Sequence, residues 1–458
     1  MSSILGLINT ESFANDRFKT YRRTVFYYYP QGAAPLTGLL SLMKDEETND
    51  PQYYWFEKRK SPQRTTSAAI SSTIPWYSTG ITVTGGKVTA ATIAAADFST
   101  VVGTQYALKT AADPDQTFRI GHLLKMTVKT SAGTDELIAQ VNAVNGSSDA
   151  IANVVGIIAL RAVTTITYNS SSNVGAGLDV VGSAFAEGNV GSSNAIYTQP
   201  VYPYNYTQIF RESYEITGTA LKTSAKYDDR GIFPDQAKEA MLNHATEMEK
   251  GFIWGERTQV GTSATTITRT TGGVMFHLRQ WELGTVYGNT AATADTDDTK
   301  RIIVNSTGRL GYKTLMGYFE RCWRMTNNRT NEKIAFCGSG AMNILTQLFA
   351  SKVVQMQKPP AGTVYGMDLV QITLPFGTLY LKTHPLFSEN PIWRNSLLIL
   401  EVANMRYRYI PGRDTELLRN RQPNDADYIK HEYLTECGLE LRFPESNMYI
   451  QNILDFDP

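Results

Sequence analysis

Residues able to do chemistry are few in this chain, and they are scattered. Its five histidines (His122, His244, His277, His384, His431) form no HxxH or HxxxH pair. No two imidazoles therefore share a turn or a helix face, as a zinc site needs. The three cysteines (Cys322, Cys337, Cys437) lie far apart and make no CxxC. They cannot staple a fold, which fits a reducing compartment or indifference to redox. Cys337 ends an apolar run and reads as core. The sequence has neither a GxSxG elbow nor a Walker A loop.

Gly338-Ser339-Gly340, between a strand and a helix, is the most enzyme-like signal. A dinucleotide fingerprint would want a third glycine at 343, where Asn343 stands, and an acidic residue about twenty positions on. Residues 353–360 hold none, so the motif reads as a tight turn with Ser339 as a helix cap. The pairs Asp228-Asp229 and Asp297-Asp298 sit in polar turns and read as solvated charges. Two basic groups, Arg17/Lys19/Arg22/Arg23 and Lys58/Arg59/Lys60/Arg64, could touch phosphate, pair with acidic faces of neighbouring subunits, or face solvent. No catalytic, cofactor-binding or metal-ligating residue is expected.

The elements that would position a site say more. The chain has 458 residues, 42% hydrophobic and 11% aromatic, enough for several cores. Its 43 basic side chains balance 43 acidic ones, which argues against a dedicated nucleic-acid binder. Neutrality also leaves little repulsion between copies, so close packing of many subunits is permitted. The N-terminus shows no secretory pattern, and no run of about 18 uncharged apolar residues could cross a membrane.

Composition divides the chain. Between 78 and 200 only 14 of 123 residues are charged, against 19% overall. Short alternating runs separated by Gly, Asn, Ser and Asp turns predict a small antiparallel barrel or sandwich, inserted into more charged surroundings. Residues 1–77 read as an extended arm, aromatic at 27–29 and 53–56, that needs another surface to lie on. The span 202–217 alternates as one long strand. The strongest helix covers 234–257, with Pro234 suited to its first position and Asp235 to the positive end of its dipole. Ala237, Met241, Ala245, Met248 and Phe252 form its apolar stripe, and Glu239, Glu247, Glu249 and Lys250 lie off it. Further helices are expected at 313–325 and 339–350, and strands at Glu332–Cys337, 368–374, 378–383, 397–402, 405–410 and 428–443. The class is α+β.

The segments Ile209 to Ala220 (IFRESYEITGTA), Asp235 to Met241 (DQAKEAM) and Glu247 to Arg257 (EMEKGFIWGER) resemble the major capsid (head) proteins of tailed double-stranded DNA bacteriophages, in the group with a β-domain inside the long hairpin. Arg269 to Gly273 (RTTGG), Ala335 to Gly340 (AFCGSG) and Gly438 to Arg442 (GLELR) follow in that family's order. The likeness spans about 205–458 and is weaker over 78–200.

This resemblance implies the Hong Kong 97-type capsid fold. Its parts would be an N-terminal arm (1–52), an E-loop hairpin (53–77 and 201–217), an inserted all-β domain (78–200), a peripheral domain around the spine helix (218–330 and 426–458) and an axial domain (331–425). It implies a non-enzymatic virion subunit, made in the host cytoplasm and assembled as hexamers and pentamers into an icosahedral head. Partners would be other copies, a portal, scaffold or decoration proteins, and packaged double-stranded DNA held by non-specific proximity. No cofactor and no membrane are implied. Because interfaces are rich in Tyr, Trp and Arg, the subunit-interface candidates are Arg17, Arg22, Arg23, Tyr28, Tyr54, Trp55, Phe56, Arg59, Arg64, Tyr206 and Arg211. Trp55→Ala is expected to impair assembly and spare the fold. A tail, decoration or adhesin-like protein is the alternative, and an enzyme whose site no motif marks is the third reading.

Overall fold

The computed structural model describes residues 35, 36, 38, 45–59, 64–68, 77–92, 98–100, 102–111, 113–130, 133–161, 163–166, 176–185, 187, 199–223, 232–261, 267–284, 301–306, 309–326, 331–351, 356–357 and 369–457. Contacts divide the chain into two units. One joins Met1–Glu57 to Val201–Pro458, and the other is Lys58–Pro200.

The smaller unit is built from antiparallel strands. Eight pair in the order Arg64–Thr66, Gly177–Ser183, His122–Thr130, Gly133–Asn145, Val154–Ala159, Gln105–Lys109, Tyr77–Thr84 and Lys87–Thr92. The chain just after the first strand then bonds back to the sixth. Ala68 N–H donates to Lys109 O and Ala111 N–H to Thr66 O, each at 2.9 Å, and Ser67 faces Thr110. Six strands thereby close into a ring. Its core takes alternate residues, among them Leu124, Met126, Leu137, Ala139, Val141, Val155, Ile157 and Leu178. The alternation slips once. Ala143 joins Val88 and Val154 in a second cluster, and Val144 returns to the first. The register with the neighbouring strand shifts between Gly156 and Ile157, so Asn142 is the extra residue of a β-bulge. A Cβ on Gly156 would lie 2.7 Å from Asn142 Oδ1 and 2.8 Å from Ala143 Cβ, which is why the residue facing the bulge is glycine. Beside the outermost strand, Asn145 Oδ1 accepts Val88 N–H at 2.7 Å and its Nδ2 donates to Val88 O at 2.9 Å.

The larger unit centres on a seven-stranded mixed sheet. Its order is Ile303–Asn305, Met448–Gln451, Leu397–Leu400, Glu332–Cys337, Gly377–Thr383, Val370–Leu374 and Met356–Gln357. Alternation along Glu332–Cys337 separates two cores: Ile334 and Phe336 enter one, Ala335 and Cys337 the other. Helices Tyr312–Arg324 and Ser339–Ser351 complete the second core through Leu315, Phe319, Cys322, Leu345 and Phe349. Helices Ile232–Trp254 and Val274–Leu283 complete the first, together with a five-stranded sheet of Asp45–Glu47, Met405–Tyr409, Tyr428–Leu441, Gln208–Thr217 and Glu416–Leu418.

The long helix presents a different face from the expected stripe. Met241 is 60% exposed, whereas Ala240, His244, Met248 and Phe252 are buried. Glu249, expected off the stripe, is fully buried. Polar groups tolerate burial once distant segments supply hydrogen bonds, so residue type alone does not identify the face. The span expected as one strand is two, Tyr204–Tyr206 and Gln208–Thr217, because the chain changes sheet at Thr207. Among the described residues, no helix is long and apolar enough to cross a membrane.

Candidate subunit-interface site

A short ribbon in the larger unit gathers exposed aromatic side chains on one face. Gln52–Tyr54 pairs antiparallel with Tyr204–Tyr206, placing Tyr54 opposite Tyr204 and Tyr53 opposite Asn205. Trp55 N–H donates to Pro203 O at 3.1 Å, and Glu57 exchanges backbone bonds with Val201 at 2.8 Å. The period of two then sorts the side chains. Tyr53, Trp55, Glu57, Pro203 and Asn205 face inward and are buried. Outward point Tyr54 (51% exposed), Phe56 (75%) and Tyr202 (66%), with Tyr204 and Tyr206 half-buried. Ring centroids lie 5.6 Å apart for Tyr54–Tyr204, 6.4 Å for Phe56–Tyr202 and 5.7 Å for Tyr204–Tyr206.

The underside is fixed by hydrogen bonds. Tyr53 Oη donates to Leu439 O at 2.9 Å, passing over Gly438, where a Cβ would lie 2.4 Å from that hydroxyl. Asn205 is fully buried; its Nδ2 donates to Leu439 O at 2.7 Å and Gly272 O at 2.9 Å, and its Oδ1 accepts Gly272 N–H at 2.7 Å. Arg257 Nη1 donates to Tyr204 O at 2.7 Å, and its guanidinium lies 3.8 Å over the Tyr204 ring. Burial, with Arg257 nearby, pushes the His277 imidazole down to about 3, so it stays neutral beneath the ribbon.

Trp55 is a correction to the interface candidates. It is 4% exposed, its Nε1–H donates to Glu57 Oε1 at 2.8 Å, and its ring meets His277 edge-on at 5.7 Å. Strand alternation sends it to the face opposite Phe56, so Trp55→Ala would test the fold of the subunit. Tyr54, Phe56 and Tyr206 are brought together on the outer face. Arg211 lies on the adjoining long strand and forks onto Glu432, its Nη2 at 3.1 Å from Oε2. Arg59 and Arg64 belong to the other unit, where Arg64 Nε is 3.1 Å from Asp179. Arg17, Arg22, Arg23 and Tyr28 lie outside the described residues. Sequence reasoning missed Asn205, Glu57 and Arg257. Alternation would have flagged Glu57, since it phases that residue with Tyr53 and Trp55, whereas Asn205 joins their face only through the pairing register.

Reactive groups do not converge here. Among the described residues, no three His, Cys, Asp or Glu side chains could hold a metal ion. Burial pushes Cys322 up to about 11 and Cys337 up to about 12, and raises Cys437 as well, so all three are inert thiols. At the Gly-Ser-Gly turn a Cβ on Gly338 would lie 2.2 Å from Arg394 O, and one on Gly340 2.0 Å from Asn395 Oδ1. Gly338 serves the close passage of the Arg394 backbone, and Gly340 that of the Asn395 carboxamide. Ser339 N–H donates to Ser388 Oγ at 3.2 Å as its helix begins.

The family model for SU10 major capsid protein matches residues 9–454. The major capsid protein of Pseudomonas phage PaMx41 is 25% identical over 420 residues, covering 91% of this chain and 85% of the relative. Among solved structures, the cyanophage A-1(L) capsid asymmetric unit overlaps 60% of this chain and 85% of its own at 12% identity, with a TM-score of 0.40. A chain of Mycobacterium phage Bobi overlaps 97% and 99% at 6% identity, also with a TM-score of 0.40. On the strength of a match that runs almost end to end, the chain belongs to the SU10 major capsid protein family and is a structural, capsid-forming protein of a phage virion.

Proposed function

We propose that this subunit adopts the Hong Kong 97-type arrangement and assembles as hexamers and pentamers into an icosahedral head around double-stranded DNA. The aromatic ribbon carries the reading. Apolar surface of this kind, held rigid from beneath, gains free energy when another protein surface covers it. Covering the exposed parts of Tyr54, Phe56 and Tyr202 would contribute about 1–2 kcal/mol each. Repetition over a closed shell turns such modest contacts into avidity.

Residues 1–52 are the arm in this reading, 218–330 with 426–458 the peripheral domain, and 331–425 the axial domain. We draw the inserted β-domain at Lys58–Pro200 in place of 78–200, because the Arg64–Thr66 strand is needed to close its ring. That narrows the hairpin to 53–57 and 201–217. Tyr54, Phe56 and Tyr206 are proposed interface residues, and Arg17, Arg22, Arg23 and Tyr28 are proposed to reach a neighbour from the arm. Arg59, Arg64 and Arg211 are proposed rim residues; Arg64 and Arg211 already have partners within the subunit, so they add little attraction. Portal, scaffold or decoration proteins, and DNA by proximity, complete the partners. The subunit has no catalytic role.

The test is a triple variant, Tyr54→Ser, Phe56→Ser and Tyr202→Ser, followed by sedimentation velocity and electron microscopy. The expected product melts like wild type yet forms no heads. Heads at wild-type yield would refute the assignment of this face.

A further inference from the structure

The N-terminal segment enters the core of its own subunit at Leu36. That side chain is fully buried and joins the cluster containing Met248, Phe252, Phe387 and Leu398. Its N–H donates to Glu249 Oε1 at 2.8 Å. The same oxygen lies 2.7 Å from His384 Nε2, and neither side chain is exposed. His384 Nδ1 accepts Leu386 N–H at 3.2 Å, so the ring's donor is Nε2–H, directed at Glu249. Glu249 comes from the long helix, and His384 is the N-cap of the short Pro385–Glu389 helix. Three segments distant in sequence thus meet at one carboxylate oxygen.

We infer that Glu249 and His384 form a socket that latches the N-terminal arm to its own subunit, with Leu36 as the plug. Nine residues on, the chain is tethered again. Asp45–Glu47 adds a parallel strand to Met405–Tyr409, Glu46 lies 3.2 Å from Arg408, and Tyr409 Oη donates to Glu47 at 3.2 Å. All three residues of that strand are exposed, so this second tether is a surface one. Among the described residues before Asp45, Pro35 and Leu36 are buried and the Leu36 N–H makes the bond to Glu249, a small contact set against the ordering entropy of the segment that carries it. A contact balanced in that way opens locally without opening the sheets around it. It lets the arm take different paths in differently placed copies while each body stays unchanged. Only this use of the latch rests on the assembly reading; the latch itself is a property of the single subunit.

The test is residue-resolved hydrogen exchange on the full-length protein, comparing wild type with Leu36→Ala and Leu36→Met. In wild type the Leu36 amide is protected. Leu36→Ala speeds its exchange by about tenfold or more, whereas Leu36→Met stays within about twofold, and amides of Glu332–Cys337 keep their rates in both. An unprotected Leu36 amide in wild type would overturn the latch. So would a Leu36→Ala variant whose Glu332–Cys337 amides accelerate by the same factor, because Leu36 would then be ordinary core. The measurement does not require assembly, so failure to form heads leaves it intact, and failure of the latch leaves the assembly reading intact.

Discussion

The two units fill their interiors with different chemistry. In Lys58–Pro200, among the described residues, no Asp, Glu, Lys or Arg is buried, and ion pairs such as Lys87–Asp149 and Arg64–Asp179 keep to the surface. The larger unit buries Glu57, Glu249, Lys333, Glu401 and Glu440. Lys333 Nζ lies 3.0 Å from Glu401 Oε2 and donates to Ser446 O at 2.6 Å, while Thr326 Oγ1 donates to the same carboxylate at 2.9 Å. A buried ion pair gains little over an apolar pair of equal volume, yet breaking one costs much. Such pairs punish wrong strand pairing more than they reward the right one. A ring made from one continuous stretch of chain can rely on alternation and shape. A body assembled from segments hundreds of residues apart has more wrong registers to exclude.

Breaking the Lys333–Glu401 pair should show this contrast most strongly. Lys333→Met leaves a carboxylate buried with its cation gone, and should cost about 3–5 kcal/mol in chemical denaturation. Adding Glu401→Leu should recover most of that loss, and a double variant no better than the single would remove buried charge as the cause. Hydrogen exchange in Val154–Ala159, in the other unit, should stay at its wild-type rate.

Acid should act next. His277 has its folded pKa pushed down from 6.5 to about 3, mainly by burial. Between those values the unfolded chain holds a proton that the folded chain lacks. Stability therefore rises with pH across the window, and falls as pH drops from about 6.5 toward 3. Burial lowers His122 of the ring as well, so a specific variant must separate the units. His277→Gln should flatten the fall of the larger unit's denaturation midpoint between pH 6.5 and 4, and an unchanged slope would assign the acid sensitivity elsewhere. The smallest effect belongs to Arg211→Ala. Its side chain is 52% exposed, so stability should change by no more than about 1 kcal/mol, and a loss above about 2 kcal/mol would show that Glu432 depends on it.

Much of the architecture was legible in local pattern. The strand expected at Glu332–Cys337 agrees to the residue, and the helices expected at 234–257 and 313–325 lie within three residues of Ile232–Trp254 and Tyr312–Arg324. Periodicity reports which elements exist because it follows from backbone geometry. It does not report what covers each face. The stripe through Met241 lost to one through His244, whose Nε2 reaches Thr435 Oγ1 at 2.7 Å across 191 positions. By composition the aromatic run at 53–56 is one continuous apolar surface. Alternation split it, sending Tyr53 and Trp55 inward to buried hydrogen bonds and leaving Tyr54 and Phe56 outside. Leu439 O, which accepts from Tyr53, and Phe443 N–H, which donates to the Glu57 carboxylate that also holds Trp55, stand near the other end of the chain, where local pattern carries no information about them.

Where many identical chains crowd together, every open sheet margin is a template on which ladders can grow from copy to copy. Six strands of Lys58–Pro200 offer no such margin, because bonds between 66–68 and 109–111 join the first to the last. The strand beyond them meets the carboxamide of Asn145, which stands in for a neighbouring backbone at Val88. One asparagine thus acts as a stopper at Val88, so a copy meeting this unit there finds a side chain in place of an open backbone.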